Sequence, residues 1–506
     1  MSDNRYYISS FAWTTVSKVL NALVGFISVP LLMEMYGKGN FGILSLATAC
    51  NAYMHLLDLG INTGAVRYYS MWKKSGDESK LHNVSHSNLT FYLVIALVNA
   101  LLLCGIALFG ENWFEITPDE FQNLRACLFI LAAFSVFSWS TTAFNQLLVA
   151  DRQMAFTMKM QTIQVILKAV LIVVAITAGI PLRLYFLLLT AVMASLIIPY
   201  AIKSRRDGLI DSLRPEWHWI DFKPVLVFSL SIFALSIFQI TATESRAIVL
   251  GIRAFDGSND VADFKILSVV PSLIITIRTS FSAVFLPRSS EMFLKKNPED
   301  IRKFSYKWTV YTTVIANVLC FPFMLCAAEV LTAYVGTDYA ILAPWLVLWC
   351  VSALIQIHTT PTNSLVIASG KTRALVITTA AACVISIVLN FLLCRRYGAG
   401  SAVFGYFIYV VIVIGLYYVY YYKKLLSLSR WKMLRCFLAP TAIAALTLIP
   451  VSLIGFSPEM FGDMNLRLAC ILVCLLKTLV WIVPYFALLF AFRILGRNDI
   501  KEMTGR

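Results

Sequence analysis

Apolar runs of about 25 residues recur along this chain so closely that they leave little sequence for anything else. Fourteen can be drawn: Ser9–Glu34, Asn40–Val66, Ser85–Phe109, Phe121–Leu148, Thr157–Ala178, Leu182–Ile202, Pro224–Gly251, Val261–Leu286, Phe304–Val330, Ile341–Ser369, Ala374–Leu393, Ser401–Tyr422, Met433–Phe456 and Leu466–Phe492. A helix crosses the hydrocarbon layer with about 20 apolar residues, more when it tilts. In lipid each backbone N–H and C=O must be satisfied within the protein, so runs of this length predict helices. The chain therefore reads as an all-α polytopic membrane protein with about 14 transmembrane helices. Connections of about ten residues hold no folded domain. That excludes a receptor with a large ectodomain, a tethered soluble enzyme and a pump with its own nucleotide-binding domain. Composition agrees: 14% of the 506 residues are charged, against about 25% in soluble domains.

The net charge of +15 would suggest nucleic acid in a soluble protein. Here the 42 Lys and Arg alternate by connection instead. The side that carries the N-terminus holds about 29 of them and the opposite side about six, and such a bias puts both termini in the cytoplasm. No nucleic-acid partner is expected. The first run is too long for a signal peptide, contains Lys18 and lacks a small-residue cleavage site. The 11 cysteines are scattered, without CxxC or Cys/His ligand spacing, and read as small buried hydrophobes. Neither a metal nor a cofactor is expected.

A repeat is visible across six runs. Arg67-YYSMW-Lys73-Lys74 after the second run parallels Arg288-SSEMFL-Lys295-Lys296 after the eighth. LLVA-Asp151 after the fourth parallels LVIA-Ser369 at the end of the tenth. Both offsets are about 220 residues. An even number of crossings gives parallel repeats about an axis along the membrane normal. The expected organisation is a lobe of six helices over 1–202, a cytoplasmic linker over 203–223, a second six-helix lobe over 224–422, and two further helices with a cytoplasmic tail over 423–506.

The motifs GKGNFGILSL (37–46) and LLDLGI (56–61) resemble the start of the Wzx-type lipid-linked polysaccharide flippases. AVFLPRSSEM (283–292), AYVGTDYAILAPWLVL (333–348), PTNSLVIASGKTRALVITT (361–379) and Gly398-Ala399-Gly400 extend the likeness over nearly the whole chain. That family handles O-antigen, capsule or exopolysaccharide precursors. It lies in the polysaccharide transporter branch of the multidrug/oligosaccharidyl-lipid/polysaccharide exporter superfamily. The resemblance implies MATE-like lobes, alternating access in a bacterial cytoplasmic membrane, and no enzymatic activity. It also implies translocation of an undecaprenyl-pyrophosphate-linked oligosaccharide from the cytoplasmic to the periplasmic leaflet. The expected partners are that glycan, membrane lipids and polysaccharide polymerase machinery around a monomer.

Charges at bilayer depth are costly and face cavities or one another. Arg278, nine residues before Pro287, is the leading candidate for contact with pyrophosphate, because a guanidinium matches phosphate oxygens in a fork. Lys18, Arg246, Arg67 and Lys168 are the other candidate substrate cations. Three of the five have a plainer reading: snorkelling for Lys18, a membrane-edge anchor for Arg67, an ion pair for Arg278. Asp58 and His55 stand three apart, with Asn51 one turn earlier, and form a candidate proton or sodium coupling site together with Glu244. Asp58 has packing as its alternative. Pro361 in Gln356-IHTT-Pro361-TN predicts a hinge or a packing kink. Lys477, outside both lobes, is assigned to a lipid head group or the groove for the tail.

Two rivals remain at this level. A multidrug or metabolite cation antiporter of the same fold would favour acids in its cavity, whereas bases lead here. A membrane polysaccharide polymerase or ligase would carry a large outer loop, and the longest outer connection here is about a dozen residues. HExxH, DxD and Gly-rich phosphate loops are absent.

Overall fold

The computed structural model describes residues 3–212, 214–295, 298–462 and 464–495. Lys296 and the tail cations past Leu495, counted above on the cytoplasmic side, lie outside them. All regular elements among the described residues are helical. The chain divides into two compact units, Met1–Ile266 with Cys394–Ala399, and Leu267–Leu393 with Gly400–Arg506.

The first unit contains α1 (Asp3–Tyr36), α2 (Lys38–Tyr53), α3 (Ile61–Ser75), α4 (Glu78–Phe109), α5 (Pro118–Ala150), α6 (Met154–Ala178), α7 (Leu182–Ala194), α8 (Ile197–Arg206), α9 (Trp219–Arg253) and the start of α10 (Gly257–Lys295). The second holds the rest of α10, then α11 (Pro298–Leu325), α12 (Ala327–Val335), α13 (Ala343–His358), α14 (Thr360–Ala368), most of α15 (Arg373–Tyr397), α16 (Ala399–Leu416) from Gly400 on, α17 (Arg430–Leu446), α18 (Leu448–Ile454) and α19 (Leu466–Ala491).

Among the described residues, eleven helical stretches are long and apolar enough to cross a membrane. They fall on eleven of the fourteen runs; the other three runs lie on α2–α3, α9 and α10. The last two are unbroken helices of 35 and 39 residues. The second run corrects the expectation of one continuous helix. It stops at Tyr53, passes through a 3-10 turn over Met54–Asp58, and restarts at Ile61. Leu59 (φ 50°) and Gly60 (φ 74°) take left-handed backbone, which an α-helix cannot contain.

The burial pattern is that of a protein whose outer solvent is lipid. Leu101 and Val173 are more than half exposed, whereas Gln146 and Asn317 are wholly buried. Buried amides join helices: Asn99 Nδ2 donates to Ser135 Oγ between α4 and α5 (3.1 Å), and Asn317 Nδ2 to Tyr485 Oη between α11 and α19 (3.0 Å). α5 begins with a capping box, Thr117 accepting from the Glu120 amide while Glu120 accepts from the Thr117 amide.

The basic connection is shorter than 203–223, because α8 runs to Arg206 and α9 begins at Trp219. Between them the main chain lies along the first turns of α4. His82 Nε2 stands 3.0 Å from the Gly208 carbonyl, and Ser85 Oγ donates to Leu209 (3.3 Å). His86 reaches Asp211 (2.5 Å) and the Arg214 carbonyl (3.0 Å). Thr90 Oγ1 donates to the Glu216 carbonyl (2.7 Å), and Ser87 Oγ accepts from the His218 amide (2.7 Å). The His86 ring holds the Asp211 carboxyl below the usual carboxylate range.

Candidate functional site

In the first unit the polar centre is the break between α2 and α3. A Cβ on Gly60 would stand 2.7 Å from the Ser229 carbonyl oxygen, and one on Gly64 2.0 Å from Ser229 Oγ. This small-xxx-small spacing lets α3 press directly on α9. The break turns Asp58 towards α4. Asp58 Oδ1 accepts from Tyr92 Oη, and its Oδ2 from the Asn62 amide at 3.3 Å. Tyr92 in turn accepts from Gln146 Nε2 (2.6 Å), and Gln146 Oε1 accepts from Asn88 Nδ2 (2.8 Å). Asn88, Gln146 and Tyr92 thus form a directed chain of donors that ends on one carboxylate.

His55 shares the 3-10 turn with Asp58, where residues three apart eclipse, and the two interact electrostatically. His55 is exposed, its ring 5.4 Å from Trp139. Glu244 of α9 lies within electrostatic range of His55 and also of Lys265. Asn51 stays on α2 and makes no side-chain hydrogen bond to either residue. Lys265 was missed by sequence reasoning, because it sits at the edge of the eighth run, where a cation passes for a membrane-edge anchor.

The candidate cations of this unit differ in surroundings. Lys18 on α1 is exposed and, among the described residues, has no polar partner. Lys168 on α6 is half-buried and likewise has none. Arg67 is exposed on α3, its guanidinium 4.2 Å from the centre of the Phe228 ring. Arg246 is 5% exposed, and its Nε donates to the Ala242 carbonyl of its own helix (2.8 Å).

In the second unit the polar centre is the junction of α13 and α14. α13 ends at His358, Thr359 bends the chain, and Pro361 sits in the first turn of α14, where its missing N–H costs nothing. Arg278 Nη1 donates to Gln356 Oε1 (2.5 Å), and Gln356 Nε2 donates to Tyr406 Oη (2.6 Å). Beyond the break, Tyr417 Oη donates to Asn363 (2.5 Å) and Tyr422 meets Thr362 (3.4 Å). His358 lies 3.2 Å from Tyr418 Oη and stacks on Phe437. These tyrosines come from a π-helix, Tyr417–Leu425, that continues α16. Lys477 on α19 forms an ion pair with Glu329 of α12.

Interrupted helices with charged and amide side chains at the interruption, set among apolar helices, are the architecture of a multi-pass membrane transporter. Solved structures share the fold. A lipid II flippase, MurJ, in an inward closed conformation aligns over 95% of this chain and 99% of its own, with TM-score 0.71 and 14% identity. An inward-facing MATE family multidrug resistance transporter aligns over 84% and 98%, with TM-score 0.66 and 16% identity. A superfamily transporter from Pyrococcus furiosus with a binding pocket of reversed polarity aligns over 86% and 96%, with TM-score 0.54 and 14% identity. All three are transporters or flippases, not enzymes. No curated protein matches the chain by sequence. The chain belongs to the polysaccharide biosynthesis protein family, whose model matches residues 8–293.

Proposed function

We propose that this protein is a flippase that carries an undecaprenyl-pyrophosphate-linked oligosaccharide across the bacterial cytoplasmic membrane by alternating access. Membership of a polysaccharide biosynthesis family and a fold shared with a lipid II flippase support the reading. In this reading fourteen helices form two parallel six-helix lobes and a terminal pair, with both termini inside. The protein acts as a monomer that delivers glycan to polymerase machinery.

The observation that carries the assignment is Arg278. Its contact with the amide of Gln356 orients the guanidinium, and Tyr406 fixes that amide. A pyrophosphate suits this arrangement, because the planar fork of a guanidinium favours phosphate oxygens. Lys18, Lys168, Arg67 and Arg246 are the other cations assigned to the substrate. Asp58 with His55 and Glu244 takes the coupling ion, because the donor chain from Asn88 to Tyr92 holds Asp58 ready for a cation. Pro361 serves as the hinge.

The test is complementation of polysaccharide display, with protein level checked by blot. Arg278→Ala should stop display without preventing insertion, and Arg278→Lys should restore it in part. Normal display from a well-expressed Arg278→Ala/Lys18→Ala double variant would put the head group elsewhere.

A further inference from the structure

At one end of the first unit the N-termini of α2, α5 and α10 meet, joined by Ala399, the first residue of α16. Main chain touches main chain there. A Cβ on Gly42 would stand 1.8 Å from the Ser258 carbonyl oxygen, and one on Gly39 2.5 Å from Glu120 Oε1. Glu120 Oε1 accepts from Ser258 Oγ at 2.6 Å. The Glu115 amide donates to the Gly251 carbonyl, and the Glu115 carbonyl accepts from the Gly257 amide, both at 2.9 Å. Lys38 Nζ lies 2.8 Å from Asp263, and Arg395 Nη2 lies 3.0 Å from Glu115. Asp260 Oδ1 accepts from the Ala399 amide at 3.1 Å, against Gly398, where a Cβ would stand 2.0 Å from that oxygen.

Acids outnumber cations in this contact. Asp256, Asp260 and Asp263 are spaced four and three apart, so they share one face at the start of α10. Glu115 and Glu120 face them from the neighbouring segments. The cations are Lys38 of α2, Arg395 at the end of α15, and Arg253 at the end of α9, which with Asp260 lies within electrostatic range of Cys394. Closing these helix ends strips water from carboxylates that have too few cations to pair with.

We propose that the contact is a latch that takes up a proton at Asp260 when it closes and releases it when the helix ends separate. Asp260 lies one residue ahead of the eighth apolar run. Burial, and then the charges of Asp263 and Asp256, push its carboxyl up from 3.8 to about 6. Separation returns water to the group and its affinity to the ordinary value. The closed form binds the proton more tightly, so acid favours closure. That gain is complete below about pH 4 and is lost as the pH rises through 6. Between pH 8 and pH 5 the closed-to-open ratio rises about tenfold. The latch is independent of the cargo; with the termini inside, as proposed above, its proton comes from the outer side.

Hydrogen exchange of the full chain in lipid nanodiscs, read by mass spectrometry, tests it. The amides of Glu115, Gly257 and Ala399 are the reporters, corrected for the intrinsic pH dependence of exchange. Their protection should be about tenfold greater at pH 5 than at pH 8. Asp260→Asn keeps an acceptor oxygen for Ala399 but cannot titrate, so most of the tenfold change should be lost. Asp256→Asn should move the midpoint downwards, and it carries the test if Asp260→Asn fails to accumulate. A flat profile in the wild type, a full tenfold change in Asp260→Asn, or an unmoved midpoint in Asp256→Asn overturns the proposal.

Discussion

The pair between Glu329 and Lys477 separates two roles for a cation deep in α19. The side chains are 17% and 14% exposed, so both charges are largely removed from solvent. Deleting one partner of such a pair costs about 3–5 kcal/mol, mostly from the charge left behind. Glu329→Gln strands an ammonium and should fall near the lower bound, about 3 kcal/mol. Lys477→Met strands a carboxylate in the first turn of α12, where the helix dipole favours an anion, so about 2 kcal/mol is expected. The double variant removes both charges and should lie within about 1 kcal/mol of wild type. For a chain of this length we take about 1–2 °C per kcal/mol, so Glu329→Gln should lower the unfolding midpoint by about 3–6 °C and the double variant should recover most of it. Fluorescence-detected size exclusion after heating reads all four proteins in one detergent. If the double variant is the least stable of the four, with additive losses, the charges are not coupled. Lys477 would then serve the lipid head group that its position outside the two lobes suggests.

Tyr92→Phe should cost about 2–3 kcal/mol, because it leaves the buried Gln146 amide without its acceptor. Asp58→Asn should abolish gradient-driven uptake in proteoliposomes while cargo binding persists; uptake unchanged across the pH range would return Asp58 to a packing role. Gly60→Ala meets both a positive φ and the Ser229 carbonyl and should lower stability by about 2–4 kcal/mol, whereas Gly76→Ala, with φ 72° and open space, should cost about 1 kcal/mol. Cysteines at Ser75 and Thr117 should label from opposite faces of the membrane, Ser75 from the cytoplasm; cytoplasmic labelling of Thr117 would reverse the orientation.

Helix class and most helix positions were legible because lipid forces long apolar helices, whatever packs beside them. The π-helix at Tyr417–Leu425 was not, since nothing in local hydropathy distinguishes it from α-helix. The break at Leu59–Gly60 brings Gly60 against Ser229, some 170 residues away, which leaves no unstrained room for a side chain there. The Pro361 break was visible because proline acts locally. Pairing at bilayer depth was the least legible. Lys477 finds Glu329 only after α12 and α19 are packed, and Glu244 finds Lys265 only after α9 and α10 lie side by side. The GKGNFG motif read as a family signature, whereas its physical content is the space that Gly39 and Gly42 leave for Glu120 and Ser258.

The stitching of residues 207–218 to α4 bears on how this chain is free to evolve. Five of its bonds engage main-chain groups of the connection, at Gly208, Leu209, Arg214, Glu216 and His218. Any amino acid except proline at 218 supplies the same groups. The specificity resides in His82, Ser85, His86, Ser87 and Thr90, whose side chains have no substitute in the backbone. Mutational drift should therefore be tolerated at exposed positions such as Arg214 and Glu216, and purged at the buried Leu209 and Ile210 and on one polar stripe of a helix that hydropathy alone would class as interchangeable with its neighbours.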